Sequence, residues 1–183
     1  MLKAGSIFKQ VQLKDGTIAQ LRYPKWEDID EMLAFITNLI DEGDLYISVQ
    51  TKPTWEEELG WLANKLVEIE KGKTVACVAE VDGHIVGNSS VTRNGGVVSH
   101  VGELGIAIKK GFRELGLGTE MLKVLIDQSR KMGLKLVRLS VFSDNDRAIH
   151  VYKKVGFKQV GRVPKVFFKW GKYFDEIIMA IEL

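Results

Sequence analysis

Apolar residues recur along this chain with two different periods, and the changes of period mark its elements. In "IFKQVQLKDGTIAQLRYP" apolar and polar residues alternate on either side of Asp15-Gly16, a dipeptide suited to a tight hairpin turn. Two strands are expected, the second ending at Pro24. "WEDIDEMLAFITNLIDEG" then repeats apolar residues at Ile29, Met32, Leu33, Ile36, Leu39 and Ile40, the spacing of one helix face, closed by Gly43. A second helix is expected from Thr54, which stands three residues before Glu57 as in a capping box. Its stripe of Leu59, Leu62, Leu66 and Ile69 runs up to Gly72, and Trp55 and Trp61 add bulk for packing.

Beyond Gly72 the period shortens. "KTVACVAEV", "HIVGNSSVTR" and "SHVGELGIAI" read as three strands, joined at Asp82-Gly83 and at Asn94-Gly95-Gly96 into an antiparallel meander. A helix follows from about Gly116 to Met132, ended by Gly133. "KLVRLSVF" reads as a short apolar strand, expected to be buried. "NDRAIHVYKKV" is a helix stopped at Gly156, and "FKQVGRVP" and "KYFDEIIMAIEL" close with strand patterns. The order predicts a single α+β domain over residues 1–183, with a mixed, mostly antiparallel central sheet flanked by helices on both faces.

Composition narrows the class. Of 183 residues, 45% are hydrophobic and 27% charged, the balance of a soluble globular chain. A net charge of +2 gives no bulk attraction for nucleic acid, so no nucleic-acid partner is expected. The single cysteine, Cys77, rules out an internal disulfide and a cysteine-based metal site, and no metal is expected. Within "TVACVAEV" it reads as a small buried hydrophobe. "MLKAGSIFKQ" lacks the features of a signal peptide, and no run reaches the roughly 20 apolar residues that cross a bilayer. A cytoplasmic protein without a membrane partner is expected.

The chemistry centres on "RELGLGTEMLKVLI", from Arg113 to Ile126. A helix N-terminus exposes unpaired N–H groups and a partial positive charge, which suit an anion and a phosphate above all. Side chains at Gly116 or Gly118 would stand in the way of close approach. Arg113 adds a charged donor at the rim. No Gly-Lys-Ser/Thr follows, so this is not a P-loop, and the preceding strand belongs to a meander rather than to a parallel βαβ unit. Alone, the motif equally describes a glycine-rich turn with an exposed arginine.

A second motif changes the weighing. Asn145, Ala148, Tyr152, Gly156 and Phe157 follow in the order of an Asn…Ala…Tyr…Gly-Phe segment. Together the two motifs, over roughly a third of the chain, resemble the core of the GNAT superfamily of N-acetyltransferases. The resemblance implies a GNAT-like domain with its coenzyme-binding core at about 99–161 and acetyl-CoA as cosubstrate. By that likeness the backbone of Gly105, Ile106, Ala107 and Ile108, splayed from its neighbour by a bulge, pairs with the pantetheine arm. Alternation puts Ile106 and Ile108 on one face and Ala107 on the other. Arg113, Glu114, Leu115, Gly116, Leu117, Gly118 and Thr119 hold the diphosphate. Asn145 contacts pantetheine or substrate, and Tyr152 is the proton donor to the coenzyme sulfur. Glu114 departs from the many relatives that carry glycine there, and its carboxylate works against anion binding locally.

Acetyl transfer to an amine also needs a proton acceptor. Glu103 in "HVGELGIAI" has the position of the carboxylate that several members use, and a partly apolar cleft would suit it to that role. A glutamate paired with a neighbouring Lys or Arg is the equal alternative. His100 is expected on the opposite face, His84 in solvent, and His150 on a different helix face from Tyr152. On the acceptor side, "IDEGDLY" offers Asp41, Glu42 and Asp44, either to attract a cationic amine or merely as solvated charge. "KVFFKWGKYFDE" is expected to link the last strands, as an acceptor clamp, a phosphate contact or a homodimer surface. The function implied is acetyl transfer to a primary amine of a small molecule or a protein. The alternatives are a non-catalytic acyl-CoA-binding module and an unrelated nucleotide-phosphate binder.

Overall fold

A computed structural model describes residues 3–43, 46, 49 and 51–183. Among these, the strands are β1 (Ile7–Gln12), β2 (Ile18–Arg22), β3 (Thr74–Val81), β4 (His84–Arg93), β5 (Val101–Ile108), β6 (Leu136–Phe142), β7 (Lys158–Lys169) and β8 (Lys172–Glu182). The α-helices are α1 (Ile29–Asp41), α2 (Trp55–Glu70), α3 (Leu117–Lys131) and α4 (Asp146–Lys154). One 8-stranded sheet runs β1-β2-β3-β4-β5-β6-β8-β7. Every neighbouring pair is antiparallel except β5 and β6, which are parallel with α3 as the crossover between them. The α+β reading from the sequence holds.

Local chemistry fixes the elements where the sequence places them. Thr54 accepts from the Glu57 N–H at 3.2 Å while Glu57 accepts from the Thr54 N–H at 2.8 Å, so the capping box starts α2. Arg22 enters α1 through a buried fork: its Nη1 and Nη2 each donate to Asp28 at 2.7 Å, and Glu80 takes a further bond from Nε at 2.8 Å. Such a pair holds its position because removing either partner would strand a buried charge.

The two faces of the sheet carry different helices. Ala79 and Gly87 are opposite one another, and a Cβ at Gly87 would meet Met121 Sδ of α3 at 2.9 Å. That face belongs to α3, whose Leu117, Met121, Leu122 and Leu125 are at most 1% exposed. Val78, one residue along β3, points the other way and joins Ile85 against Met32, Phe35 and Leu39 of α1.

Two expectations about strands need correction. "KLVRLSVF" is not buried on both sides: Val137, Leu139 and Val141 face the core while Arg138 and Ser140 are exposed. The apolar composition of β6 hid a period-2 alternation. Nor is "KVFFKWGKYFDE" a long link, because β7 continues to Lys169 and β8 begins at Lys172. The turn is Trp170-Gly171, both with left-handed φ, of 50° and 71°.

Candidate active site

The parallel pair β5–β6 is where the sheet opens. Pairing covers only Val101–Glu103 against Leu136–Arg138, although β5 runs on to Ile108 and β6 to Phe142. From Leu104 to Ile108 the β6-facing edge of β5 has no strand partner. The expected parting is present, but no bulge causes it. Register with β4 is unbroken from Gly102 to Ile108, and β6 stays paired with β8 from Leu136 to Phe142. Side chains alternate as expected: Ile106 and Ile108 pack on the larger core and Ala107 on the α1 cluster. That leaves the backbone edge of this stretch, not its side chains, toward the opening.

The turn after β5 ends at the N-terminus of α3. Among the described residues, the N–H groups from Glu114 to Thr119 donate to no protein acceptor; the first helical bond is Glu120 N–H to Gly116 O at 3.3 Å. A run of unpaired, convergent N–H groups at a helix start is an anion cradle. Gly116 is the N-cap with φ 93°, a conformation that disfavours any Cβ. Gly118 has a second reason to be bare: a Cβ there would lie 3.1 Å from Ile108 Cδ1 and 4.0 Å from Val151 Cγ1. Its absence lets α3 close on both β5 and α4. Leu117 and Thr119 are buried, at 0% and 8% exposure, so their side chains pack inward and leave the approach to the helix start clear.

Arg113 has other partners than a bare rim would give it. Its Nε donates to the Ile108 carbonyl at 2.8 Å, and its Nη2 pairs with Glu42 at the end of α1. Glu42 also accepts from the Lys110 N–H at 2.8 Å. The arginine thus braces the turn against the free end of β5. Glu114 sits at φ 65°, a left-handed backbone that explains a glycine preference at this position. Its carboxylate turns away from the cradle to Arg147, 3.2 Å distant. Beside the turn, a groove of about 510 Å³ is lined by Gly116, Lys9, Lys14, Glu120, Lys123 and Lys154, and Glu120 pairs with both Lys9, at 2.5 Å, and Lys123, at 2.7 Å.

On α4, Asn145 is the N-cap: its Oδ1 accepts from the Ala148 N–H at 3.2 Å, which leaves its amide nitrogen for other contacts. Tyr152 is 8% exposed and packs 6.0 Å from the Phe157 ring. Burial pushes its phenol up to about 12, so it stays protonated at any physiological pH. Its hydroxyl has no protein partner among the described residues.

Of the two settings left open for Glu103, the structure has the ion pair rather than the apolar cleft. Glu103 stands directly across from Arg138, which donates Nε to it at 2.7 Å, and both side chains are about half exposed, at 45% and 52%. The carboxylate in turn raises the affinity of Arg138 for its proton. Ser140, next on this face of β6, donates to Glu176 of β8 at 2.5 Å. Arg138, Ser140 and Glu176 escaped the sequence reading; the polar positions inside "KLVRLSVF" were the available signal. Of the histidines, His84 pairs with Glu31 at 3.2 Å, and His100 and His150 are exposed. Asp41 pairs with exposed Lys52 at 2.7 Å, and Asp44 lies outside the described residues. No group of residues able to hold a metal occurs among the described residues. None of the described helices is long and apolar enough to cross a membrane.

A half-open parallel pair, unpaired N–H groups at the start of the following helix and a buried, protonated tyrosine on α4 thus belong to one mixed α+β sheet domain. The Acetyltransferase (GNAT) family matches residues 26–157, and the chain belongs to that family, as an enzyme of the acyltransferase class. Among curated relatives, the L-amino acid N-acetyltransferase AaaT of Escherichia coli strain K12 is 31% identical over 105 residues, 56% of this chain and 65% of that protein. The alignment thus spans just under two thirds of AaaT. The L-amino acid N-acyltransferase MnaT of the same strain is 25% identical over 156 residues, 82% of this chain and 88% of its own length. Among solved structures, a GNAT-family acetyltransferase from Streptococcus pneumoniae superposes with a TM-score of 0.81 at 25% identity, covering 90% of this chain and 99% of its own. A Salmonella typhimurium chain, yncA, solved with acetyl-CoA, shares the fold with a TM-score of 0.79 at 21% identity, covering 90% and 94%.

Proposed function

We propose that this chain transfers the acetyl group of acetyl-CoA to a primary amine of a small molecule or a protein, with its coenzyme core at about 99–161. The observation that carries this reading is the adjacency of two unpaired backbone arrays: the free edge of β5 from Leu104 to Ile108, and the N–H groups from Glu114 to Thr119. The first suits an amide-bearing arm laid alongside a strand, the second its diphosphate. Lys14 and Lys154, two further cations of the neighbouring groove, suit the remaining phosphate of the carrier.

Acetyl-CoA supplies an activated thioester carbonyl; the chain supplies binding, orientation and proton traffic. The edge of β5 orients the arm and offers backbone N–H to the carbonyl oxygen as charge develops there. As the amine nitrogen bonds to the acyl carbon and the carbon–sulfur bond breaks, Tyr152 gives its proton to the departing sulfur. Glu103 takes the amine proton, directly or through water. Burial of Tyr152 with no protein partner for its hydroxyl supports the donor role. The cytoplasm is the compartment in which we place the reaction, and the exposed Val160, Phe168 and Tyr173 of the β7–β8 edge are the surface we assign to a homodimer.

The ion pair between Glu103 and Arg138 favours the second reading, a module that holds acyl-CoA without turnover, because a carboxylate engaged by Arg138 is less available to an incoming amine. Thiol release from acetyl-CoA over a panel of amines separates the two. Acceptor-dependent release is expected, and Glu103→Gln should lower its rate by about 10²-fold or more. Coenzyme binding with no release from any amine would establish the module instead, and an unaltered rate in the variant would take Glu103 out of the mechanism.

A further inference from the structure

We infer that the acceptor amine also carries a carboxylate, as an amino acid does, and that Arg138 is the residue that holds it. This rests on the acetyltransferase reading above. Arg138 belongs to the last residue pair before β5 and β6 part, so it stands at the apex of the opening. Its side chain shares a face with Glu103 and Ser140, the face opposite α3. Over β3 and β4 that face is covered by α1, but Glu103, Gly105, Arg138 and Ser140 are all exposed. The position is open to an acceptor approaching from the side away from the N–H cradle.

The donors of Arg138 are only partly engaged. Nε bonds to Glu103 at 2.7 Å, while the two terminal nitrogens donate to no group among the described residues. A guanidinium held by one edge presents the rest of its planar fork, the geometry that grips a carboxylate bidentately. Glu103 acts here as a positioning residue for that fork. A complementary charge lies on the neighbouring strand: Glu176 of β8, in register with Phe142, accepts from Ser140, two residues from Arg138 on the same face, and its field reaches Arg138. A cation and an anion on one face match a zwitterion. A polyamine would meet the arginine as a like charge.

An aromatic strap at the far end of β6 bears on the size of the acceptor. Trp170 in the β7–β8 turn donates Nε1 to the Gly43 carbonyl at 3.0 Å, so the hairpin reaches across to the segment after α1. Beneath it Phe142 stacks on Phe167 at 3.9 Å and meets Tyr46 at 5.0 Å. A strap with an aromatic underside suits a small amino acid better than a folded protein's chain end.

The test is a thiol-release comparison of L-amino acids with their C-terminal amides, alongside spermidine and a short peptide. The free acids should exceed their amides in kcat/KM by roughly tenfold or more, the scale of a charge-assisted bond. Arg138→Gln should remove that preference, chiefly through KM for the acid, with coenzyme A affinity by calorimetry unchanged. Arg138→Lys, which keeps a cation beside Glu103 but loses the fork, should fall between. Equal rates for acids and amides, a preference for spermidine or the peptide, or an Arg138→Gln loss shared equally by acid and amide would overturn the inference while leaving acetyl transfer standing. Coenzyme binding with no release from any acceptor would instead remove the acetyl-transfer reading and this inference with it.

Discussion

Tyr152 concentrates the chemistry at the scale of a single side chain. The phenol is buried in apolar surroundings that disfavour its anion, so the proton is present for a leaving thiolate across the working pH range. Tyr152→Phe should lower kcat by about 10²-fold, the lower end of general-acid effects, with little change in coenzyme affinity. Equal losses in kcat and affinity would make the residue structural. The same burial has a consequence for stability. The folded chain holds this proton more tightly than the unfolded chain, whose tyrosines titrate near 10. Stability is therefore full below pH 10 and falls as pH rises toward 12. Cys77, pushed from 9.0 to about 12 by burial, adds a loss that starts lower. In urea titrations the wild type should lose about 1 kcal/mol more between pH 9 and pH 11 than Tyr152→Phe does; parallel curves would contradict the burial account.

At the scale of elements, the site is made by two strands that stop pairing and a helix that starts beside them. The start of α3 depends on two glycines for different reasons: Gly116 for its left-handed backbone, Gly118 for close approach to Ile108. Gly118→Val should cost about 1–2 kcal/mol of stability through overpacking. It should also abolish measurable coenzyme binding by pushing the first turn of α3 away from β5. Retained affinity in a folded variant would remove this approach from the site. The helices and turns here were legible in the sequence because their signals are local: the Thr54–Glu57 box, Asp15-Gly16, and the glycines after each helix. The two motifs likewise placed Asn145 and Tyr152. What β6 does was not legible from its apolar character. Whether Arg138 and Ser140 face solvent depends on where α1 and α2 end over the sheet, which is a property of packing rather than of the strand. The partners of Arg113 and Glu103 were hidden for the same reason, since Glu42 and Arg138 are 71 and 35 positions away in sequence.

Across the whole molecule, the eight-stranded sheet separates two approaches to one opening. The N–H cradle, α3 and the cationic groove lie toward one face, and the ion pairs, α1 and the aromatic strap toward the other. A carrier entering from the first side and an acceptor from the second would meet where β5 and β6 part. Backbone, rather than side chains, does most of the carrier binding in this account. The most direct test follows the backbone itself: a ¹⁵N-labelled sample titrated with coenzyme A and observed by amide NMR. The account predicts that the largest shifts fall on the N–H groups from Glu114 to Thr119 and along Leu104 to Ile108. Saturable binding that leaves those amides unmoved, or no binding, would contradict it.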